Sequence, residues 1–211
     1  MSVEGNMMSK VIEVFADVGC PFTHVGLRRF VQRRDALGRS DLVLHVRAWP
    51  LEVVNGSPMD PGFIAEEVEQ IRAALGGDVF VGFVPGSFPA TSIPAMALAA
   101  AAYDVDPGIG ESVSLRVRHL LFEEGVDVSD HAVLHSIAEG FGFEADLDDD
   151  TAVLEDHRRG VGQGVVGSPH FFTDGGDFFC PALAVGRDDE GVLQVSPDPE
   201  RFDRFFASCL Q

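Results

Sequence analysis

Residues 11–26 read VIEVFADVGCPFTHVG, and the order of signals in that stretch decides the fold. Val11 to Ala16 is a short β-branched and aromatic run, a strand signal. Asp17-Val18-Gly19 turns the chain, and Phe22 to Leu37 then carries helical periodicity. Pro21 suits the first turn of that helix, where a missing N–H costs nothing, so Cys20 falls at the helix N-terminus. Further on, Leu42, Leu44 and Val46 alternate with Val43, His45 and Arg47, predicting a second strand that ends at Trp49-Pro50. Strand, helix, strand within about 40 residues is the minimal unit of a parallel sheet.

Beyond that unit the chain changes character. Helical periodicity runs through Phe63 to Leu75, Ile93 to Tyr103, Ile109 to Glu123 and Asp130 to Gly140, punctuated by Gly76-Gly77, Pro85-Gly86 and Asp106-Pro107-Gly108. The Phe-, Gly- and Pro-rich segment Phe80 to Pro94 suits a loop over a site. Asp146 to Asp150 precedes Thr151 to Arg159 (TAVLEDHRR), acids first and bases last as a helix dipole prefers, so the Asp run reads as helix-start chemistry, not a metal site. Ser168-Pro169-His170-Phe171-Phe172-Thr173 and Asp177-Phe178-Phe179-Cys180 flank an Asp174-Gly175-Gly176 turn, a hairpin signature. Pro197 to Leu210 closes the chain as an amphipathic helix with Phe202, Phe205, Phe206 and Leu210 on one face. The expected order is βαβ, a helical block, then αββα: an α/β fold with residues 1–58 and 151–211 forming one domain around a helical insertion at 59–150.

The composition narrows the function. Against 34 acidic residues stand Lys10 and 14 arginines, for a formal net charge of -19. Such a surface repels phosphate backbones and anionic membranes, so neither nucleic acid nor membrane is expected as a partner. The 45% hydrophobic content suffices for a sizeable core. Met1 to Lys10 is polar, with no apolar signal core, and no stretch approaches the roughly 18 apolar residues of a spanning helix. A soluble, cytoplasmic protein is the expectation. Cys20, Cys180 and Cys209 are too few and too far apart for a disulfide framework or a zinc knuckle.

Cys20 is the first candidate nucleophile, because helix N-terminal N–H groups and the helix dipole favour a thiolate, whereas apolar burial would raise its pKa. Thr23 sits one turn away with a hydroxyl to offer that sulfur. His24, on the same helical face, and His170, after Pro169, are the candidate proton carriers. Phe22, Trp49, Phe83 and Phe88 are candidates for an apolar wall. Cys209, among phenylalanines of the last helix, reads as core. The spacing of Cys20, His24 and His170 fits no usual metal site, and no metal or tightly bound cofactor is expected.

Together, VIEVFADVGCPFTHVG, Trp49-Pro50-Leu51 and Gly164 to Phe172 (GVVGSPHFF) resemble the DsbA-like thiol-disulfide oxidoreductases, in particular their FrnE-like branch and the related 2-hydroxychromene-2-carboxylate isomerases and kappa-class glutathione transferases. The resemblance implies a thioredoxin fold interrupted by a helical domain, an active-site helix opening at Cys20 and a facing cis-proline loop at Pro169. It implies that Pro21, Phe22, Trp49, Ser168, Pro169 and His170 line the substrate groove, Ser168 through its backbone. Two departures stand out. The resolving cysteine of a Cys-x-x-Cys motif is replaced by Thr23, leaving the monothiol motif Cys20-Pro21-Phe22-Thr23, and the isomerase and transferase branches carry Ser where this chain has Cys20. The Asp-Arg pair those branches use on glutathione is also absent, the stretch reading Cys180-Pro181-Ala182-Leu183.

A single thiolate still attacks a mixed disulfide, and an external small thiol, mycothiol or glutathione, resolves the product. In a thioredoxin-type hairpin the second strand returns towards the active site, which makes Cys180 a second candidate for the resolving thiol. Three functions stay open: a monothiol oxidoreductase acting on a small thiol or a protein, a thiol-dependent transferase or isomerase, and a non-catalytic ligand binder. The oligomeric state is open too, a homodimer included.

Overall fold

The computed structural model describes residues 9–211, so the first eight residues of the polar N-terminal stretch lie outside the described residues. Strand β1 (Lys10–Ala16) leads into helix α1 (Pro21–Ala36) and back to strand β2 (Leu42–Ala48), parallel to β1. Helices α2 (Leu51–Asn55), α3 (Pro61–Leu75), α4 (Ile93–Val105), α5 (Pro107–Glu123) and α6 (His131–Phe141) follow without an intervening strand, then α7 (Thr151–Gln163). The hairpin β3 (His170–Thr173) and β4 (Gly176–Phe179) returns to the sheet, with β3 antiparallel to β1. The four-stranded order is β2-β1-β3-β4, an α/β thioredoxin sheet with a helical insertion.

The expected αββα ending lacks one element. A second hairpin, β5 (Leu183–Arg187) and β6 (Leu193–Pro197), forms a separate two-stranded sheet before the last helix, α8 (Pro199–Cys209). Its strands are short and mostly exposed, so their hydrophobic alternation is weak. The acidic turn between them closes through the Asp188 carboxylate, which accepts the N–H groups of Glu190 and Val192. Within 80–94 the chain is irregular apart from a 3-10 turn at Pro85–Ser87, and Phe80, Phe83 and Phe88 point inward as core.

Aspartates start the helices. Asp60, Asp106, Asp130 and Asp198 each accept a backbone N–H in the first turn of α3, α5, α6 and α8, which satisfies donors that the helix leaves orphaned. The two sheet faces are packed differently. Phe171 and Phe30 meet Phe205 of α8 on one side. On the other, Phe15 contacts Trp49 and Phe172 beneath α7, where Gly160 is required because a Cβ would lie 2.7 Å from the Trp49 ring. The outer edge of β2 is closed by side chains: Leu44, Val46 and Ala48 N–H donate to Glu111, Tyr103 and Asp156. Those bonds tie the helical insertion and α7 to an edge that would otherwise offer unpaired donors.

Candidate active site

Cys20 is the N-cap residue of α1, in extended conformation, followed by Pro21 at the first helical position. It is 4% exposed, and its Sγ–H donates to the Ser168 carbonyl oxygen at 3.2 Å. The Ser168–Pro169 peptide bond is cis. The neighbouring carbonyl, of Pro169, accepts the N–H of Cys180 at 2.9 Å. Cys20 and Cys180 therefore engage consecutive carbonyl oxygens of one loop. Ser168 Oγ accepts the Asp17 N–H at 2.9 Å and shares a hydrogen with Thr23 Oγ1 at 2.8 Å, so β1, α1 and the β3 approach are laced together by hydroxyls. Gly26 of α1 lies against Pro169 and Phe171, keeping the helix close to the loop.

The electrostatics correct one expectation. Burial pushes the Cys20 thiol up to about 11, and Glu67 on α3 adds to that rise. The hydrogen bonds from Thr23 and Ser168 pull in the other direction without compensating. Lost hydration of the sulfur outweighs the benefit of its place at a helix start, so the thiol is protonated at neutral pH. Burial, followed by the charge of Cys20, pushes Cys180 up to about 12. Cys180 also has a left-handed backbone, φ 46°, a conformation that points to a close local constraint at the end of the hairpin. Cys209 is buried in the core and donates to the Phe205 carbonyl.

Two carboxylates that the sequence reading passed over sit at this site. Asp17 is fully buried and joins three segments: its Oδ1 accepts the Gly19 N–H at 2.7 Å, and its Oδ2 accepts Leu51 N–H at 2.7 Å and Ser92 Oγ at 3.2 Å. Burial raises its pKa to about 6 despite those bonds and the Arg118 charge. An Asp directly after a strand and before Gly and Cys was the available signal, readable as an Asx turn. Glu67 is raised by burial to about 7, and its charge bears on both Cys20 and Cys180. Its exposed neighbours in α3, Glu66 and Glu69, hide it in the sequence. Gly19 itself is needed for space, since a Cβ would fall 2.5 Å from Met59 Cε and 2.9 Å from Phe88 Cζ.

Of the other expected site residues, Pro21 and Phe22 are buried beside Cys20 in α1, and Thr23 is in the hydroxyl network. The histidines are a correction. His24 turns to Glu123 of α5 at 2.7 Å between the rings of Phe80 and Phe122, and burial lowers its pKa. His170 Nε2 meets Asp177 at 2.9 Å and its Nδ1 accepts the Val166 N–H, because strand alternation sets it on the face opposite Phe171. Neither makes a hydrogen bond to Cys20. Trp49 is likewise drawn away, into the cluster with Phe15 and Val165 and beside His157. Ser168 offers substrates less than expected, because its carbonyl already accepts the Cys20 thiol. Phe83 packs on Phe88 and Phe122.

A family model of the DSBA-like thioredoxin domain matches residues 11–194. The chain belongs to the DsbA-like thioredoxin family. Among solved structures it is similar to the cytosolic disulfide reductase DsbM from Pseudomonas aeruginosa, at 15% identity over 95% of this chain and 98% of that one, with a TM-score of 0.59. It is also similar to a 2-hydroxychromene-2-carboxylate isomerase, at 15% identity over 80% of this chain and 88% of that one, with a TM-score of 0.57. At these identities the likeness is one of fold. No curated protein matches the sequence. Among the described residues no helix is long and apolar enough to cross a membrane.

Proposed function

We propose that this DsbA-like protein is a thiol-disulfide oxidoreductase working in the reducing direction, with Cys20 as the nucleophile. The observation that carries the reading is the Cys20 thiol at the start of α1, hydrogen-bonded to the cis-proline loop and held protonated by burial. A site that stabilises its thiolate is oxidising, because it favours the reduced protein. This site disfavours the thiolate, which favours giving electrons to a disulfide. The fold shared with the disulfide reductase DsbM, also solved with GSH, agrees with that direction and with a cytoplasmic setting.

The chemistry proceeds in balanced steps. The Cys20 thiol loses its proton, and its sulfur attacks one sulfur of a disulfide R–S–S–R, expelling RS⁻, which takes up a proton, and leaving Cys20–S–S–R. The Cys180 thiol, whose backbone N–H donates to the neighbouring carbonyl of the loop, then gives up its proton and attacks the Cys20 sulfur; the second RS⁻ leaves and takes up a proton, and a Cys20–Cys180 disulfide closes. Two molecules of a low-mass thiol of the glutathione or mycothiol type reopen it, leaving as their own disulfide. Thr23 and Ser168 steady the sulfur through hydroxyl hydrogen bonds, and Pro21, Phe22 and Pro169 frame it.

A second reading rests on the same protonated thiol. A neutral S–H beside two hydroxyls is a hydrogen-bond donor, and such a donor aligns the thiolate of a bound cofactor in a transferase or isomerase. One experiment separates the readings: peptide mapping by mass spectrometry after exposure to glutathione disulfide and mycothiol disulfide at pH 8. The oxidoreductase predicts an adduct on Cys20 that passes into a Cys20–Cys180 bridge, accumulates as the adduct in Cys180→Ser and is lost in Cys20→Ser. No reaction at Cys20, with thiol-dependent turnover of an electrophile surviving in Cys20→Ser, supports the transferase.

A further inference from the structure

Helix α1 presents two faces to the rest of the molecule. Gly26 and Phe30 face the sheet and α8. His24, Leu27, Arg28 and Val31 lie at helical spacing on the face towards α5, where they border a groove of about 410 Å³. Across the groove α5 supplies Leu115, Arg116, Arg118 and His119. Among the described residues no Asp or Glu lines it, in a chain whose formal charge is -19. The carboxylates that answer these bases lie off the lining: Glu123 holds Arg28 and His24, and Glu124 holds Arg116 and His119.

Arg118 is the exception. It is 2% exposed, and its guanidinium donates to neutral oxygens only, Ser114 O, Ser114 Oγ and the backbone carbonyl of Asp17. Its Nε has no hydrogen-bond partner among the described residues. Burial brings its pKa down to about 10, so it remains a cation at neutral pH. The Asp17 carboxylate answers its charge through space without contacting it, and a buried cation with no carboxylate in contact and an unused donor is costly. Retaining it at the wall of an open groove whose other ionisable lining is basic, with Gln32 the one neutral polar side chain, is explained by an anion that shares the site. Leu27, Val31 and Leu115 make the rest of the wall apolar, and the volume lies within the range of about 300–1,000 Å³ of small-molecule pockets.

We propose that the α1–α5 groove binds a small amphipathic carboxylate, its apolar body on Leu27, Val31 and Leu115 and its charged head towards Arg28, Arg116 and Arg118. The site is on a different face of α1 from the cis-proline loop and does not depend on the redox reading. Aliphatic and aromatic carboxylates share this chemistry, so decanoate and 1-naphthoate are the two probe arms, with decanol and decylammonium as neutral and cationic controls, read by isothermal titration calorimetry. One saturable site for a carboxylate is expected, with decanol at least about tenfold weaker and decylammonium silent. Arg116→Glu, at the exposed rim, is expected to weaken carboxylate binding at least about tenfold, with only the small drop in melting temperature that loss of its exposed ion pair with Glu124 entails. Arg118→Met is expected to do the same where it folds, and Arg116→Glu carries the test where it does not. Equal affinity for decanoate and decanol, indifference to Arg116→Glu, or no carboxylate binding by about 5 mM overturns the proposal.

Discussion

A buried carboxylate and a half-buried one flank the first turns of α1, and their environments drive them in opposite directions. Asp17, at the end of β1, is surrounded by neutral donors: two backbone N–H groups and the Ser92 hydroxyl. The nearest cation, Arg118, spends its contact on the Asp17 backbone carbonyl. Burial therefore prevails and the pKa rises to about 6. At Glu123, at the end of α5, burial also works to raise the pKa, but hydrogen bonds from His24, Val81 N–H and Phe80 N–H reverse it and the value falls to about 2, with Arg28 in direct contact besides. Burial alone does not set the charge of a carboxylate. What decides is the balance between depth of burial, complete at Asp17 and partial at Glu123, and whether charged groups contact the oxygens. The Cys20 thiol follows the Asp17 pattern, because it shares a neighbourhood of hydroxyls and backbone groups.

The contrast is sharpest where each carboxylate is made neutral. Glu123→Gln removes the negative charge beside Arg28 and His24 and turns an amide N–H2 towards the Val81 N–H that the carboxylate accepted, and about 3 kcal/mol of stability is expected to be lost at pH 7. The pH dependence gives the sign. A folded-state pKa of about 2, below the usual 4.5, means that Glu123 stabilises the fold above about pH 4.5 and that this contribution is lost as pH falls towards 2. Urea denaturation from pH 7 to pH 2 should show the gap between the variant and the parent closing over that window. A gap that stays constant would mean that Glu123 acts through shape and not charge.

Asp17→Asn is expected to act less strongly and with the opposite slope. The folded state holds the Asp17 proton more tightly than the unfolded one, so its contribution is full below about pH 4 and is lost as pH rises through about 6. The pKa interval corresponds to about 3 kcal/mol. Asn removes that dependence. At pH 4 the protonated acid retains every bond, its Oδ2 donating to Ser92 Oγ while still accepting Leu51 N–H, whereas an Asn amide group turned to either N–H cannot accept it. A deficit of about 2 kcal/mol at pH 4 that narrows by pH 7 is expected from the same denaturation series. An undiminished deficit would place a different group in control of that limb.

How much of this was legible in the chain differs by residue. The β-branched run before Cys-Pro gave away β1 and α1, and Gly164 to Phe172 marked the loop that carries Pro169, because those signals are local. The β5–β6 hairpin was not legible: its strands bury little, and acidic residues dominate its turn. His24 stands four residues after Cys20, and local spacing made it a partner of the thiol, but Glu123, 99 residues away, holds its ring. The thiol's protonation state was equally out of reach, since it depends on how tightly Met59, Phe88 and Glu67 from other segments close over the turn at Gly19 and Cys20. Charge states at this site are tertiary properties, and spacing carries no information on them.

The finest test concerns Thr23, which belongs to the neutral neighbourhood and contributes one hydroxyl. Thr23→Val keeps the shape and deletes the bond to Ser168 Oγ, at an expected cost of about 1 kcal/mol. The same hydroxyl lowers the Cys20 pKa against the pull of burial, so its loss should move the thiol further above about 11. Alkylation of Cys20 by iodoacetamide, followed from pH 8 to pH 11 by peptide mapping, should therefore slow by about tenfold or less at each pH, one pKa unit being a factor of ten in thiolate. Thr23→Ser retains the hydroxyl and should restore the parent rate. If Val and Ser behave alike, the sulfur is governed by burial alone, and the hydroxyls of Thr23 and Ser168 serve only to pin the loop to the helix.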